Sequence, residues 1–382
     1  MSAQEEAAKA SGDRGGQPPT VVGLIAESTV QLKALRGIAA ELQRSLALRV
    51  DDSRRWELQV AQDAVPMDRE GRLLLMEHAD EMRQRHDCDL LVYFTDLPHL
   101  ADRQPLLAEV SRQERVAIVS SPALGQALRR RTHETVLRVV ARMLHGEDEL
   151  RPTTARLSGK DRFQPVEEDL EKEAGQTVIE LRGVLGSLRL LVGMVRINRP
   201  WRLAPALSGA TAGAAAAGAF GIFYASIWAM AEALSWYRLV LISCLAIALM
   251  SAWLIGYNGL WERRKSLQGA VLYNTSTVLT VATAVTIMYV LLFVVLLLGA
   301  TVVISGEYLA RQLQSGSAGP VDYLALAWLA ASMGIFAGAL GSSWDSDHKV
   351  REATFGHREQ QRRALASEDR PDEEADEEPR RE

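Results

Sequence analysis

The sequence predicts two unlike parts in one chain: an α/β domain with a doubly wound, parallel four-stranded sheet, then an all-α bundle of four transmembrane helices. Residues 20–147 alternate short apolar runs with segments of helical period, the pattern of a parallel sheet covered on both faces. Four stretches beyond residue 200 are long and apolar enough to cross a hydrocarbon core, which takes roughly 20 helical residues. Basic residues crowd one set of their flanks.

Residues 1–19 hold no apolar core region, so they are expected to be a disordered tail without a cleavable signal peptide, and the domain after them is expected in the cytosol. VVGLIAE (21–27) reads as a fully buried strand. A helix follows to about residue 47, with Leu35, Ile38, Leu42 and Leu46 at helical spacing. WELQVAQ (56–62) alternates Trp56, Leu58 and Val60 with polar neighbours and reads as a half-exposed edge strand. A helix over 68–86 turns Leu75, Ala79 and Met82 inward. LLVYFT (90–95) and VAIVS (116–120) are again buried strands, separated by a short helix near 104–113. A longer helix, about 122–146, closes the domain.

With the second strand at an edge, right-handed crossovers favour the strand order 2-1-3-4. The chain then changes direction between strands 1 and 3, and such sheets bind ligands beyond the strands' carboxyl ends at that point. The candidate site is therefore Glu27, Ser28 and Thr29 after strand 1, Thr95, Asp96 and His99 after strand 3, and Ser120 and Ser121 after strand 4. Ser28 also reads as a helix N-cap.

Motifs add little. The E-S-T turn has no glycine, which excludes a G-x-G-x-x-G turn and a P-loop. No G-x-S-x-G elbow exists. Ser120, His99 and Asp96 can be drawn as a triad, yet turn chemistry around Pro98 and Pro122 accounts for the same residues. His133-Glu134 opens like a zincin signature, but Leu137 stands where the second His is needed. His78, Glu81, His86 and Cys88 could be grouped around a metal, but His78 and His86 lie about 80° apart round a helix. No catalytic residue, metal or cofactor is assigned. Two cysteines, Cys88 and Cys244, make no disulfide framework, and a net charge of −5 argues against a nucleic-acid partner.

Residues 148–165 form a polar linker with Pro152, Gly159 and Pro165. Residues 166–199 are expected to form a juxtamembrane amphipathic helix, beginning with the acidic turns of EEDLEKE. In it Val178, Leu181, Leu185, Leu188, Val192 and Val195 repeat at 3-4-3-4-3 spacing. That seam fits a short parallel coiled coil between two copies. It also fits interfacial or intramolecular packing, which Arg182, Arg189 and Arg196 and the glycines at 183, 186 and 193 favour.

The membrane domain covers 200–344, with spans at about 203–229, 239–260, 277–304 and 323–343. The third span has no ionisable side chain except the phenol of Tyr289. The first is Ala- and Gly-rich but runs uncharged for the 27 residues 203–229, with Trp201 just before them and Trp228 near their end. Twelve basic residues flank the inner ends (Arg189, Arg196, Arg199 and Arg202; Arg263, Arg264 and Lys265; Lys349, Arg351, Arg358, Arg362 and Arg363) against Arg238 and Arg311 outside. Both termini are thus expected on the cytoplasmic side of a multi-pass protein of the inner (plasma) membrane. Trp201, Trp261 and Trp344 mark the inner boundary, and Trp236, Tyr237, Tyr308 and Tyr323 the outer one. No Asp, Glu, Lys, Arg or His falls within a span, which weighs against a proton-coupled transporter. Residues 345–382 are a charged, largely disordered tail, ending in sixteen residues with nine acids and three arginines.

Small residues recur in the spans. Gly209, Gly213, Ala217, Gly221 and Ala225 form a ridge on the first, and Ala330, Gly334, Gly338 and Ser342 on the fourth. Such ridges let helices approach closely, either as a seam between two copies or as a contact between spans 1 and 4 of one bundle. Thr280, Thr283 and Thr286 stripe the third span, bonding to a helix or lining a pore.

DLLVYFTDLP (89–98), RINRPWR (196–202), LYNTSTVLTV (272–281) and DYLALAWLAAS (322–332) resemble stretches of an uncharacterised family of actinobacterial four-span integral membrane proteins with an N-terminal cytosolic α/β domain. The resemblance covers about residues 20–355 and implies architecture only. Members sometimes carry the label methylene-tetrahydrofolate dehydrogenase, which this sequence does not support: no Tyr is followed four residues later by Lys, and the dinucleotide turn is missing. The expected function is binding of a small ligand or protein by a non-enzymatic, Rossmann-like domain at the lipid bilayer. The alternatives are a membrane-anchored enzyme using Asp96, His99 and Ser120, and a small-solute permease or channel. A second copy of the chain is a candidate partner through span 1, span 4 or the 178–195 helix.

Overall fold

The computed structural model describes residues 18–68, 73–101, 104–125, 128–145, 166–172, 176–262, 267–313, 316–341 and 354. Residues 1–17, the 148–165 linker, Arg263, Arg264, Lys265, Ser342, Trp344 and, apart from residue 354, the C-terminal tail lie outside them. The chain divides between Gly193 and Met194 into two compact units.

The first unit is built on β1 (Thr20–Ala26), β2 (Trp56–Gln62), β3 (Leu90–Thr95), β4 (His99–Ala101), β5 (Gln104–Ser111), β6 (Val116–Ser120), β7 (Val166–Lys172) and β8 (Gln176–Arg182). They make one sheet in the order β2-β1-β3-β6-β5-β8-β7, with β4 on β5. The parallel run β2-β1-β3-β6 keeps the expected 2-1-3-4 order, aligning Ala26 with Phe94 and Thr95 with Ser120. Every residue of β3 and β6 is buried, as continuous apolar runs between two helical layers require.

The sheet is nevertheless mixed. The segment expected as a helix at 104–113 is β5, antiparallel to both β6 and β8. Leu106, Leu107, Ala108 and Val110 are buried on both of its faces, and a turn through Arg115, at φ 54°, returns the chain into β6. In the segment 166–182, expected as the first half of an amphipathic helix, β7 and β8 pair antiparallel. Val178, Ile179, Glu180 and Leu181 are buried in succession, which a strand inside a sheet achieves and one helix face does not. The 178–195 seam is therefore split between a strand and a helix.

Helices α1 (Thr29–Arg36) and α2 (Ala39–Arg49) replace the single helix expected to 47, and among the described residues of 68–86 the helical part is α3 (Ala79–Arg85). They bury Leu35, Leu42, Leu46, Ala79 and Met82, and Ile38 and Leu75 are buried in the turns that precede α2 and α3. A 3₁₀ turn, Pro122–Leu124, follows β6, and α4 (Leu128–His145) lays Val136, Val139, Val140 and Met143 inward. Helix α5 (Gly183–Asn198) begins beside the sheet. A Cβ on Gly193 would collide with the Pro122 carbonyl and one on Gly186 with that of Leu181, so these glycines serve intramolecular packing.

The second unit contains α6 (Pro200–Ala206), α7 (Ser208–Phe223), α8 (Ala225–Ala233), α9 (Trp236–Tyr257), α10 (Leu267–Val303), α11 (Gly306–Gln312) and α12 (Pro320–Gly341). Among the described residues three helices, within α9, α10 and α12, are long and apolar enough to cross a membrane; the bent pair Gly183–Leu203 and Ser208–Phe223 makes up to four if counted as one span. The expected continuous span 203–229 is broken at Leu207 and Tyr224, whose ψ values of 55° and 113° leave the helical region. Leu241, Leu291, Leu298 and Val302 are exposed, an outward apolar face that water-soluble folds avoid and lipid accommodates.

The small-residue ridges of α7 and α12 meet each other. A Cβ on Gly334 would stand 2.5 Å from the Ala214 carbonyl oxygen, and one on Gly338 2.8 Å from that of Ala210. The buried ridge of α7 runs through Ala210, Ala214, Gly218 and Gly221, one position beyond the expected Gly209, Gly213 and Ala217, which are half-buried beside it. A polar hub sits between α9, α10 and α12. Tyr289 Oη lies 2.9 Å from both Ser243 Oγ and Ser332 Oγ, and Trp328 Nε1 donates to Ser243 Oγ at 2.6 Å.

Candidate functional site

The parallel run brings the ends of β1, β3 and β6 to one edge of the sheet, so Glu27, Asp96 and Ser121 become neighbours. Ser28 caps α1: its Oγ accepts from the Gln31 backbone N–H at 3.4 Å. The Gln31 side chain returns, with Oε1 accepting from Ser28 N at 3.1 Å and from Glu27 N at 2.9 Å, a capping box. Its Nε2 donates to Asp96 Oδ1 at 2.6 Å and to Ser121 Oγ at 2.7 Å. Both N–H donors and both acceptor positions of this amide are then used, and the arrangement fixes which end is oxygen.

Glu27 is the second hub. Its buried carboxylate accepts from Tyr93 Oη at 2.9 Å, from Thr95 Oγ1 at 2.9 Å and from the Asp96 N–H at 2.7 Å. Tyr93 Oη in turn accepts from Val65 N at 3.2 Å. Thr95 Oγ1 also accepts from Leu97 N, and the Thr95 carbonyl receives Ser121 N at 2.9 Å. Strand ends that carry no regular ladder are thus tied by side chains, as buried polar groups require. Asp96 and Ser28 are half-exposed at the rim of this lattice.

The remaining expected residues point elsewhere. Exposed Thr29 donates to Gln62 Oε1 at 3.5 Å. His99 lies on β4, with Nε2 2.7 Å from Glu109 Oε2 of β5. Ser120 is fully buried and gives its hydroxyl proton to the Leu97 carbonyl at 3.1 Å. Ser120 and His99 therefore make no nucleophile–base pair. Gln31, which joins the three strand ends, was not among the residues expected; its signal was the S-x-x-Q spacing of Ser28 and Gln31.

Other clusters have structural partners. His78 Nδ1 lies 2.9 Å from the Leu74 carbonyl, and His86 Nε2 3.0 Å from Asp63 Oδ2, which Arg85 also holds at 3.1 Å. Burial would raise the Asp63 pKa, but bonds from Ala64 N–H, His86 and Arg85 outweigh it and hold the carboxyl below its ordinary value. Asp51 is likewise lowered, its Ser53 and Arg54 hydrogen bonds overcoming burial. Burial pushes the Cys88 thiol up to about 11. His133 faces Ser45 Oγ, and Glu134 pairs with Arg130. Among the described residues no three His, Cys, Asp or Glu side chains form a metal-binding group.

What the arrangement can do chemically is accept hydrogen bonds: carboxylate and hydroxyl oxygens converge, and no activated nucleophile stands among them. Comparison with protein-family models, curated proteins and solved structures gives no match for this chain.

Proposed function

We propose that this chain is a multi-pass membrane protein whose cytosolic α/β unit binds a small ligand rich in hydrogen-bond donors, without chemical turnover, at the ends of β1, β3 and β6. The observation that carries the reading is the saturated amide of Gln31, which anchors Asp96 at 2.6 Å while that carboxylate remains half-exposed. A rigid, rim-exposed acceptor set beside a topological switch point suits recognition. Ser120, held by the Leu97 carbonyl, is a poor nucleophile there. The cytosolic, plasma-membrane placement rests on the twelve-to-two distribution of flanking basic residues.

The 2.7 Å pairing of His99 with Glu109 favours a second reading, an enzyme with His99 as an oriented general base. A solute path lined by threonines has less support, because Thr283 and Thr286 are exposed and bond to the Leu279 and Ala282 carbonyls of their own helix.

The test is a thermal-shift screen of the full-length protein in lipid nanodiscs against nucleotides, folates, sugars and amines. Binding predicts a saturable stabilisation that Asp96→Ala removes and His99→Ala keeps. Stabilisation unaffected by Asp96→Ala would overturn the site, and ligand turnover lost in His99→Ala would establish the second reading. A reporter fused at residue 268 and found outside the cell would overturn the topology.

A further inference from the structure

A groove of about 560 Å³ runs between α7 and α10 on the second unit. Pro205, Ser208, Ala212 and Ala215 form one wall, and Leu291 and Val295 stand on the other. Ser208, Ala212 and Ala215 of α7 are exposed, as are Leu291 and Val295, so the groove opens sideways rather than into the bundle. Along α7 it extends from Ser208 to Ala215, about 10 Å at the helical rise. Its walls are almost wholly apolar, so an occupant within the bilayer has to be apolar along this length.

The end of the groove at Pro205 is charged on its outer side. Arg202 is exposed and stands three residues before Pro205, on the same face of α6. Its backbone N–H bonds to the carbonyl of Arg199, the residue before α6. Trp201, half-exposed beside them, suits the headgroup level of a membrane. An apolar trough about half an acyl chain long, beginning one turn after the exposed Arg202, is complementary to a lipid with a negative headgroup.

We propose that this groove holds one acyl chain of an anionic phospholipid, with the lipid phosphate against Arg202. The inference rests on the membrane-embedded reading of the second unit and goes beyond the strand-end site. The small residues of α7 then have two uses: Ala210, Ala214 and Gly218 seat α12, while Ser208, Ala212 and Ala215 seat a lipid.

The experiment uses full-length protein reconstituted in phosphatidylcholine vesicles containing a minor fraction of phosphatidylglycerol, extracted in mild detergent, with bound lipid measured by native mass spectrometry. The expected result is retention of phosphatidylglycerol over phosphatidylcholine, with the preference reduced about fivefold in Arg202→Gln, as loss of one interfacial cation implies. Ala215→Leu, which fills an exposed gap, should remove the retained lipid; Val295→Trp fills it from the opposite wall should the first variant fold poorly. Equal retention of the two lipids by the wild type, or unchanged retention in both filled variants, would overturn the proposal. So would cross-linking between two copies through a cysteine at position 215. A chain released from membranes by alkaline carbonate would instead refute the embedded reading itself.

Discussion

Gln31 Nε2 and Asp96 Oδ1 are 2.6 Å apart, joining the first turn of α1 to the end of β3 across 65 residues of sequence. Because the same amide also serves Glu27, Ser28 and Ser121, it ties together the strand ends of the candidate site. Gln31→Ala removes a cap partner and leaves buried polar groups unpaired, so we expect a loss of about 2–3 kcal/mol in urea unfolding. Gln31→Glu sets a carboxylate against Asp96. It should destabilise at neutral pH and recover part of the loss near pH 4, where one of the two acids is protonated.

Asp63 predicts a specific acid limb. Its folded pKa lies below its unfolded value of about 3.9. Its contribution is therefore complete above that value and is lost as pH falls through the folded pKa. Asp63→Asn should lower stability at neutral pH and flatten the pH dependence in that acidic window, as followed by thermal melts. An unchanged acid limb would show that the bonds from His86 and Arg85 carry no weight.

Cys88 should resist maleimide at pH 7 in the folded protein, since burial holds it protonated at about 11. It should react once the chain is unfolded. A Cβ on Gly23 would approach Cys88 Sγ to 2.8 Å, so Gly23→Ala should destabilise. Cys88→Ala in the same chain should recover much of that loss, a coupling that a double-mutant cycle measures.

Helix packing in the second unit gives a contrast between glycines. Gly334→Ala and Gly338→Ala push into carbonyls of α7 and should cost about 1–3 kcal/mol in detergent unfolding. Gly256→Ala meets nothing within 4 Å and should be tolerated. Tyr289→Phe, which removes the centre of the Ser243–Ser332 hub, should cost about 0.6–1.7 kcal/mol.

The strands buried on both faces were legible because continuous apolar runs such as LLVYFT and VAIVS suit a sheet covered on both faces. The β5 strand was not, since Leu106, Leu107, Ala108 and Glu109 favour helices and the Arg112–Arg115 turn lacks the glycine or asparagine that marks hairpins. The β8 strand was hidden for another reason: Val178 and Leu181 happen to share a helical spacing with Leu185 and Leu188. In the first span, Ala and Gly fit either a continuous or a broken helix, and only backbone geometry reveals the breaks at Leu207 and Tyr224. The meeting of the strand ends was legible by topology as far as Glu27, Asp96 and Ser121. It was not legible in detail, because Gln31 reaches its partners across the sheet and His99 is drawn away by Glu109. The Ser243–Tyr289–Ser332 hub left no local trace, one hydroxyl coming from each of three helices.

The most direct test of the binding account is a calorimetric titration of the strongest ligand from the screen into full-length protein and its Asp96→Ala variant in nanodiscs. The account predicts a saturable single-site heat with the ligand recovered unchanged, and affinity at least about tenfold weaker in the variant, roughly 1.4 kcal/mol. Equal affinity in both proteins, or conversion of the ligand during the titration, would contradict it.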